Sequence, residues 1–119
     1  VARSFVTGLR GALRALRRAQ RAADDSRRPA LEEWARDTTA TAKRLAPVLS
    51  GRLMRSIDYR VNHADAYVGV YGGPREYAGY VEKGTSKMDA QPYMRPAFAA
   101  HRNDLRRSYR RQFRLRMRY

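Results

Sequence analysis

Apolar residues recur at two different periods along this chain, and the change of period constrains the fold more than any other feature. Toward the start, Phe5, Leu9, Ala12, Leu13, Leu16, Ala19 and Ala23 follow one another at spacings of three and four, the stripe of an amphipathic helix. In the middle the period falls to two. Ile57, Tyr59 and Val61 alternate with Asp58, Arg60 and Asn62, as a half-buried strand requires. After Pro96 the helical pattern returns, with Phe98, Leu105, Tyr109, Phe113 and Met117 expected inward. Helical ends around a strand-like centre predict an α+β chain, a small antiparallel β-sheet packed by long N-terminal and C-terminal helices. At 119 residues the chain suits a single domain. Its expected parts are basic helices over 1–46, an α/β centre with a hairpin and a loop over 47–94, and an Arg-rich C-terminal helix over 95–119.

Turn and cap residues place the joints. Asp24, Asp25 and Ser26 read as a break, and Pro29 suits the first turn of a second helix. Glu32 and Glu33 would then meet the positive end of that helix dipole. Leu31, Trp34, Thr38, Ala42 and Leu45 form its apolar face, Pro47 ends it, and Ser50 is placed to cap a short turn through Arg52, Leu53 and Met54. His63, Ala64 and Asp65 form the turn into a returning strand over 67–71, with Val68 and Val70 on one face. Gly72, Gly73 and Pro74 stop it. A short helix over 76–83 carries Tyr77, Tyr80 and Val81, Gly84 serves as its C-cap, and residues 85–89 form a polar loop. Gln91 to Met94 suit a short extended segment.

Charge is distributed as unevenly as the periodicity. The formal net charge is +15, and 23 of the 26 cations are Arg. Residues 1–46 carry 11 cations and five anions, residues 47–94 six and five, and residues 95–119 nine and one. Both ends are therefore basic and the centre nearly neutral. Such a surplus attracts polyanions and acidic partners. Arg102, Arg106, Arg107, Arg110, Arg111 and Arg114 on the last helix are the candidate contacts to an acidic partner or to DNA.

Catalytic and metal chemistry finds no foothold in the pattern. There is no cysteine, hence no disulfide, thiol nucleophile or Cys-ligated metal. His63 and His101 stand in no metal-binding spacing, no phosphate-cradling glycine loop occurs, and no serine lies in a nucleophile-elbow context. The expectation is a protein that is not an enzyme, with no catalytic residues, no metal and no cofactor. No apolar run approaches the roughly 20 residues of a membrane span, and Arg residues interrupt every candidate signal-peptide core. Both points lead to the expectation of a soluble chain made in the cytoplasm, with no membrane partner.

Three short motifs in order are more specific. Leu45-Ala46-Pro47 leads into Ser50-Gly51-Arg52-Leu53 and Ser56-Ile57. After the hairpin comes Tyr77-Ala78-Gly79-Tyr80-Val81-Glu82-Lys83-Gly84-Thr85. Ala90-Gln91-Pro92-Tyr93-Met94-Arg95-Pro96-Ala97-Phe98 closes the set. The order and spacing resemble the neck and tail-component family of long-tailed double-stranded DNA bacteriophages (head–tail connector and tail-completion proteins), over about residues 43–100. The resemblance implies a structural virion protein forming a ring at the head–tail junction around the DNA channel, assembled in the bacterial host cytoplasm. It implies copies of itself as partners, a hexamer as first choice and a dodecamer as second, together with neighbouring connector, head-closure and tail proteins. Tyr77, Tyr80, Glu82, Lys83, Thr85, Lys87 and Met88 are the candidate subunit contacts. The alternative is a sequence-independent nucleic-acid-binding protein, which rests on the basic C-terminal helix alone.

Overall fold

The computed structural model describes residues 2–47, 51–72 and 75–118. Its elements run α1 (Ala2–Leu45), α2 (Arg52–Ser56), β1 (Ile57–Val61), β2 (Ala66–Val70), α3 (Arg75–Lys83), α4 (Met94–Ala100) and α5 (Asp104–Met117). The fold is α+β, as the periodicity predicts. Its shape is set by α1, whose 44 residues span about 66 Å at 1.5 Å each, within overall extents of 79 × 22 × 21 Å. The other elements pack along its C-terminal half: α5 and α4 as helix layers, the hairpin against its end.

α1 corrects the expected pair of helices. Asp24 to Ser26 do not break it, and Pro29 lies in its interior. An interior proline costs about 3 kcal/mol through its missing N–H and its ring clash. Contacts distant in sequence offset that cost. Ala22, Ser26, Ala30, Leu31 and Ala35 are all buried on this stretch, where α5 lies against α1. Ser26 turns its hydroxyl inward to donate to the Ala22 carbonyl at 2.5 Å. Glu32 and Glu33 consequently stand mid-helix, away from any dipole end. Leu45, expected on the apolar face, is 42 % exposed in the final turn, and Ala46 is buried in its place.

The N-terminal stripe is likewise not core. Leu9, Leu13 and Leu16 are 50 %, 43 % and 66 % exposed, because α1 extends past the elements that cover its other half. Phe5, at the head of the predicted stripe, lies outside the residues whose side chains are described. So does the proposed Ser50 cap, and Gly73 and Pro74 fall outside the described residues as well.

The core proper gathers Ala42, Ala46, Leu53, Ile57, Ala78, Val81, Tyr93 and Ala97, with Val70, Met88 and Met94 packed against it. The strands pair antiparallel with Ile57 opposite Val70, Tyr59 opposite Val68 and Val61 opposite Ala66. This register keeps the apolar residues on one face and leaves Tyr67, 56 % exposed, on the other. Asn62 organises the turn, its side-chain oxygen accepting from the Ala64 and Asp65 N–H groups at 2.9 and 2.8 Å. On the outer face Arg60 reaches the Asp58 carboxylate at 2.9 Å and lies 4.1 Å over the Tyr71 ring. The Tyr59 backbone N–H, and then Arg60, hold the Asp58 carboxyl below its usual range.

The C-terminal segment is two helices where one was expected. Residues 101–103 turn between α4 and α5. The His101 carbonyl accepts from the Asp104 N–H at 3.1 Å and from the Trp34 indole at 3.1 Å. That second bond fixes the turn to α1. Phe98, expected inward, is 37 % exposed and meets Trp34 edge-on at 5.4 Å.

Candidate assembly surface

Two regions of the surface contain the residues singled out by the sequence. One is the corner made by α3, the loop after it and the start of α4. The other is α5.

At the corner, α3 buries Ala78 and Val81 and leaves Tyr77 and Tyr80 outside, 38 % and 56 % exposed. Gly84 ends the helix with φ +78°, and its N–H donates to the Tyr80 carbonyl at 2.7 Å. A side chain there would place its Cβ 2.7 Å from the Ala90 backbone nitrogen, so both the conformation and the space require glycine. The loop folds back at once. Thr85 and Met88 exchange backbone hydrogen bonds of 2.8 and 3.3 Å, leaving Thr85 and Lys87 exposed, while Met88 turns inward onto the core.

Glu82 binds this corner together. One carboxylate oxygen accepts from the Tyr93 and Met94 N–H groups at 2.8 and 3.0 Å, and the other from Arg95 at 2.8 Å. These are N–H groups of the first turn of α4, which have no partner within their own helix. Burial raises the Glu82 carboxyl, but the three N–H donors outweigh it and hold the group below its usual range. The Gln91 N–H donates to the Val81 carbonyl at 2.8 Å, and the Tyr93 hydroxyl to the Ala78 carbonyl at 3.2 Å. Burial, with the Glu82 charge nearby, pushes the Tyr93 hydroxyl up to about 12. Of the candidate subunit contacts, Tyr77, Tyr80, Lys83, Thr85 and Lys87 thus form one exposed strip. Glu82 and Met88 spend their side chains inside the chain.

The candidate arginines of the C-terminal segment divide by what faces them; Arg102, expected on the last helix, stands in the turn before α5. Arg111 pairs with Glu33 of α1, which also accepts the Ser108 hydroxyl at 2.7 Å. Ser108 first, then Arg111, hold the Glu33 carboxyl below its usual range. Arg107 approaches Asp104 at 3.5 Å but stays largely in solvent. Arg102, Arg106, Arg110 and Arg114 are exposed with no ion pair among the described residues. Arg102 and Arg106 join Arg27 around a shallow hollow of about 420 Å³ floored by Leu31, Leu105 and Tyr109.

Sequence reasoning missed the joints between distant elements. The Tyr109 hydroxyl donates to the Ala23 carbonyl at 3.1 Å. His101 stands 2.6 Å from the Thr41 hydroxyl through Nε2 and 2.7 Å from Asp104 through Nδ1. A hydroxyl, an imidazole and a carboxylate in a row can serve nucleophilic chemistry. Here the Thr41 residue is 6 % exposed beneath the α4–α5 turn, and the row ties three elements together. No local signal marks it, since Thr41 and His101 are 60 residues apart. Among the described residues no group of three or more His, Asp or Glu is placed to hold a metal ion, and no helix is long and apolar enough to cross a membrane.

Residues 11–84, which run from α1 through both strands to the Gly84 cap, match a family model described as "Bacteriophage HK97-gp10, putative tail-component". The chain belongs to this family. That makes it a structural tail component of a bacteriophage virion, working among other phage structural proteins. No curated protein and no solved structure matches it significantly. The family match covers the hairpin and the exposed strip of α3 on the tail component and stops before α4 and the basic α5.

Proposed function

We propose that this tail component is a non-enzymatic subunit of a closed ring at the head–tail junction, around the channel through which the genome passes. The observation that carries the reading is the exposed face of α3. Tyr77, Tyr80 and Lys83 stand outside on the part of the chain that matches the tail-component family, and Thr85 and Lys87 follow just past its end. Tyrosine is enriched at subunit contacts because it combines a large apolar ring with one hydroxyl. A closed ring needs a heterologous contact, with this strip meeting a different surface of the next copy. A hexamer is the first choice and a dodecamer the second. Connector, head-closure and other tail proteins lie above and below, and assembly takes place in the host cytoplasm.

Imaging of intact particles tests the reading. Ring-shaped density at the neck, with six or twelve copies and α3 at the copy-to-copy contact, is the expected result. Scattered single copies, or density confined to the head, would defeat it.

Nucleic-acid binding without sequence preference is the second reading, favoured by Arg102, Arg106, Arg110 and Arg114, which are exposed and have no ion pair among the described residues. Phosphate contacts made by these four would give log affinity a slope of about −3 to −4 against log salt, roughly −0.9 per contact. Replacing all four with Gln should remove that slope. A ring subunit without DNA contacts would show no such salt dependence.

A further inference from the structure

α1 is electrostatically two helices in one. Between Asp24 and Asp37 it carries five carboxylates, Asp24, Asp25, Glu32, Glu33 and Asp37, against three arginines, of which Arg27 holds Asp24 at 3.4 Å. The element packed along that half is α5, which carries six arginines and one aspartate. The match is physical contact as well as composition, since Glu33 receives Arg111 and Ser108. Ahead of Asp24 there is no acid at all, and Arg10, Arg14, Arg17, Arg18 and Arg21 follow in close order. None of these five has an ion-pair partner among the described residues, and all are exposed.

The apolar stripe also runs through both halves and is covered on only one. Burial starts at Ala22 and continues through Ser26, Ala30 and Leu31. Toward the start of the chain Leu16, Leu13 and Leu9 fall in line with Leu31, within about 60° of it around the helix, and all three are in solvent. At 100° per residue the three leucines fall within about 60° of arc and the five arginines within about 100° beside them. The two ridges meet at an open hollow of about 440 Å³ lined by Arg10, Leu13, Arg14 and Arg17.

We propose that this arm of α1, residues 9–21, docks an acidic amphipathic helix of another protein. That helix continues along the arm the layer that α5 forms on the other half. Its apolar seam lies on Leu9, Leu13 and Leu16, and its carboxylates face the arginine ridge. A second copy of this chain is a poor occupant. Its arm and its α5 would both set arginine against arginine, and like charges brought together at an interface oppose binding. Duplex DNA would satisfy the arginines and leave the leucine ridge in water. A helix with acid beside apolar residues satisfies both ridges at once. The inference is independent of the ring, because it concerns a single copy.

The test uses the full chain and a synthetic 21-residue peptide of three heptads with Leu at the a and d positions and Glu at e and g. The comparison peptide keeps every Glu and replaces each Leu with Ser. Binding is followed by fluorescence anisotropy at 150 mM salt, alongside a duplex DNA oligonucleotide and anionic phosphatidylserine vesicles. The Leu-bearing peptide should bind at least about tenfold more tightly than its Ser counterpart, since a docked helix draws affinity from its buried apolar anchors. Leu9→Ser, Leu13→Ser and Leu16→Ser together should abolish that advantage. Arg10→Gln, Arg14→Gln and Arg17→Gln together should weaken binding and flatten its salt dependence. Both triple variants alter exposed residues, so their melting curves should match the parent. Equal binding of the two peptides, or no binding of either, overturns the proposal. So does tighter binding to DNA or vesicles that the leucine variant leaves unchanged.

Discussion

Removing the Glu82 carboxylate should detach the start of α4 from the end of α3. In Glu82→Ala three backbone N–H groups lose a charged acceptor, those of Tyr93, Met94 and Arg95. A lost helix cap costs about 0.5–2 kcal/mol, and hydrogen bonds to a charged group about 1.5–3 each. Arg95 is exposed, so water replaces its bond at little cost, whereas Tyr93 is 2 % exposed and cannot be rehydrated without opening the core. A loss of about 2–4 kcal/mol follows. For a chain of this size that corresponds to a melting point lowered by about 6–15 °C. Glu82→Gln keeps the length and one carbonyl acceptor, and should lose about half as much. The pH dependence supplies an independent check. The folded Glu82 carboxyl lies below its unfolded value. Its contribution is therefore complete above the unfolded value and is lost as pH falls through the folded one. Between about pH 5 and pH 3 the parent should lose stability more steeply than Glu82→Gln, with Glu33 and Asp58 supplying the part of the slope common to both. The readout is urea unfolding across that range, followed by circular dichroism. Unchanged midpoints for both variants, or parallel pH curves for parent and Glu82→Gln, would refute the cap.

Three other substitutions probe separate parts of the argument. Gly84→Ala should destabilise by at least about 1–3 kcal/mol, because φ is +78° and the new Cβ meets the Ala90 nitrogen at 2.7 Å; a thermal melt equal to the parent's would show that the loop relaxes freely. Leu53→Asp puts an unpaired carboxylate where the side chain is 4 % exposed and should leave the chain unfolded at 25 °C, with Val70→Asp, at the margin of the same cluster, milder. A native circular dichroism spectrum for Leu53→Asp would remove Leu53 from the core. Pro29→Ala restores an N–H inside α1 and should stabilise by about 1–3 kcal/mol; a lower melting point would mean that the proline ring contributes packing that exceeds its helix penalty.

The parts of the fold that could be read from the sequence are those decided within a few residues. The hairpin is one, since Ile57, Tyr59 and Val61 alternate and turn residues separate them from Val68 and Val70. The Gly84 cap is another, because only a left-handed residue ends α3 there. What escaped reading depends on partners far along the chain. Pro29 and the Asp24–Ser26 run look like a helix boundary until α5 is known to bury Ser26 and Ala30. Glu82 looks like a free surface carboxylate because the N–H groups it caps come 11 to 13 residues later. The α4–α5 turn has no glycine or proline, and what ties it to α1 is Thr41 and Trp34, 60 and 67 residues from His101, which no local rule connects. The strip of Tyr77, Tyr80, Lys83, Thr85 and Lys87 is readable as surface, whereas Met88 packs against the core although its neighbours in the loop are polar.

The two halves of α1 separate folding from docking. From Ala22 onward its stripe is buried, and changes there act on stability through α5, α4 and the hairpin. Ahead of Ala22 the same helix carries Leu9, Leu13, Leu16 and five arginines from Arg10 to Arg21 that have no partner among the described residues, and changes there leave the core untouched. An isolated helix of this length is marginal in water, and Gly8 and Gly11 weaken it further by up to about 1 kcal/mol each. The arm's helix therefore depends on propagation from the packed half or on a docked partner. This also explains how a chain of net charge +15 holds together. α5 brings Arg111 onto Glu33 in the one stretch of α1 that has acids, and much of the remaining positive charge lies exposed on the arm and on α5. There its neighbouring arginines repel one another along each helix, at a few tenths of a kcal/mol per pair, and an anionic surface of the assembly would relieve that.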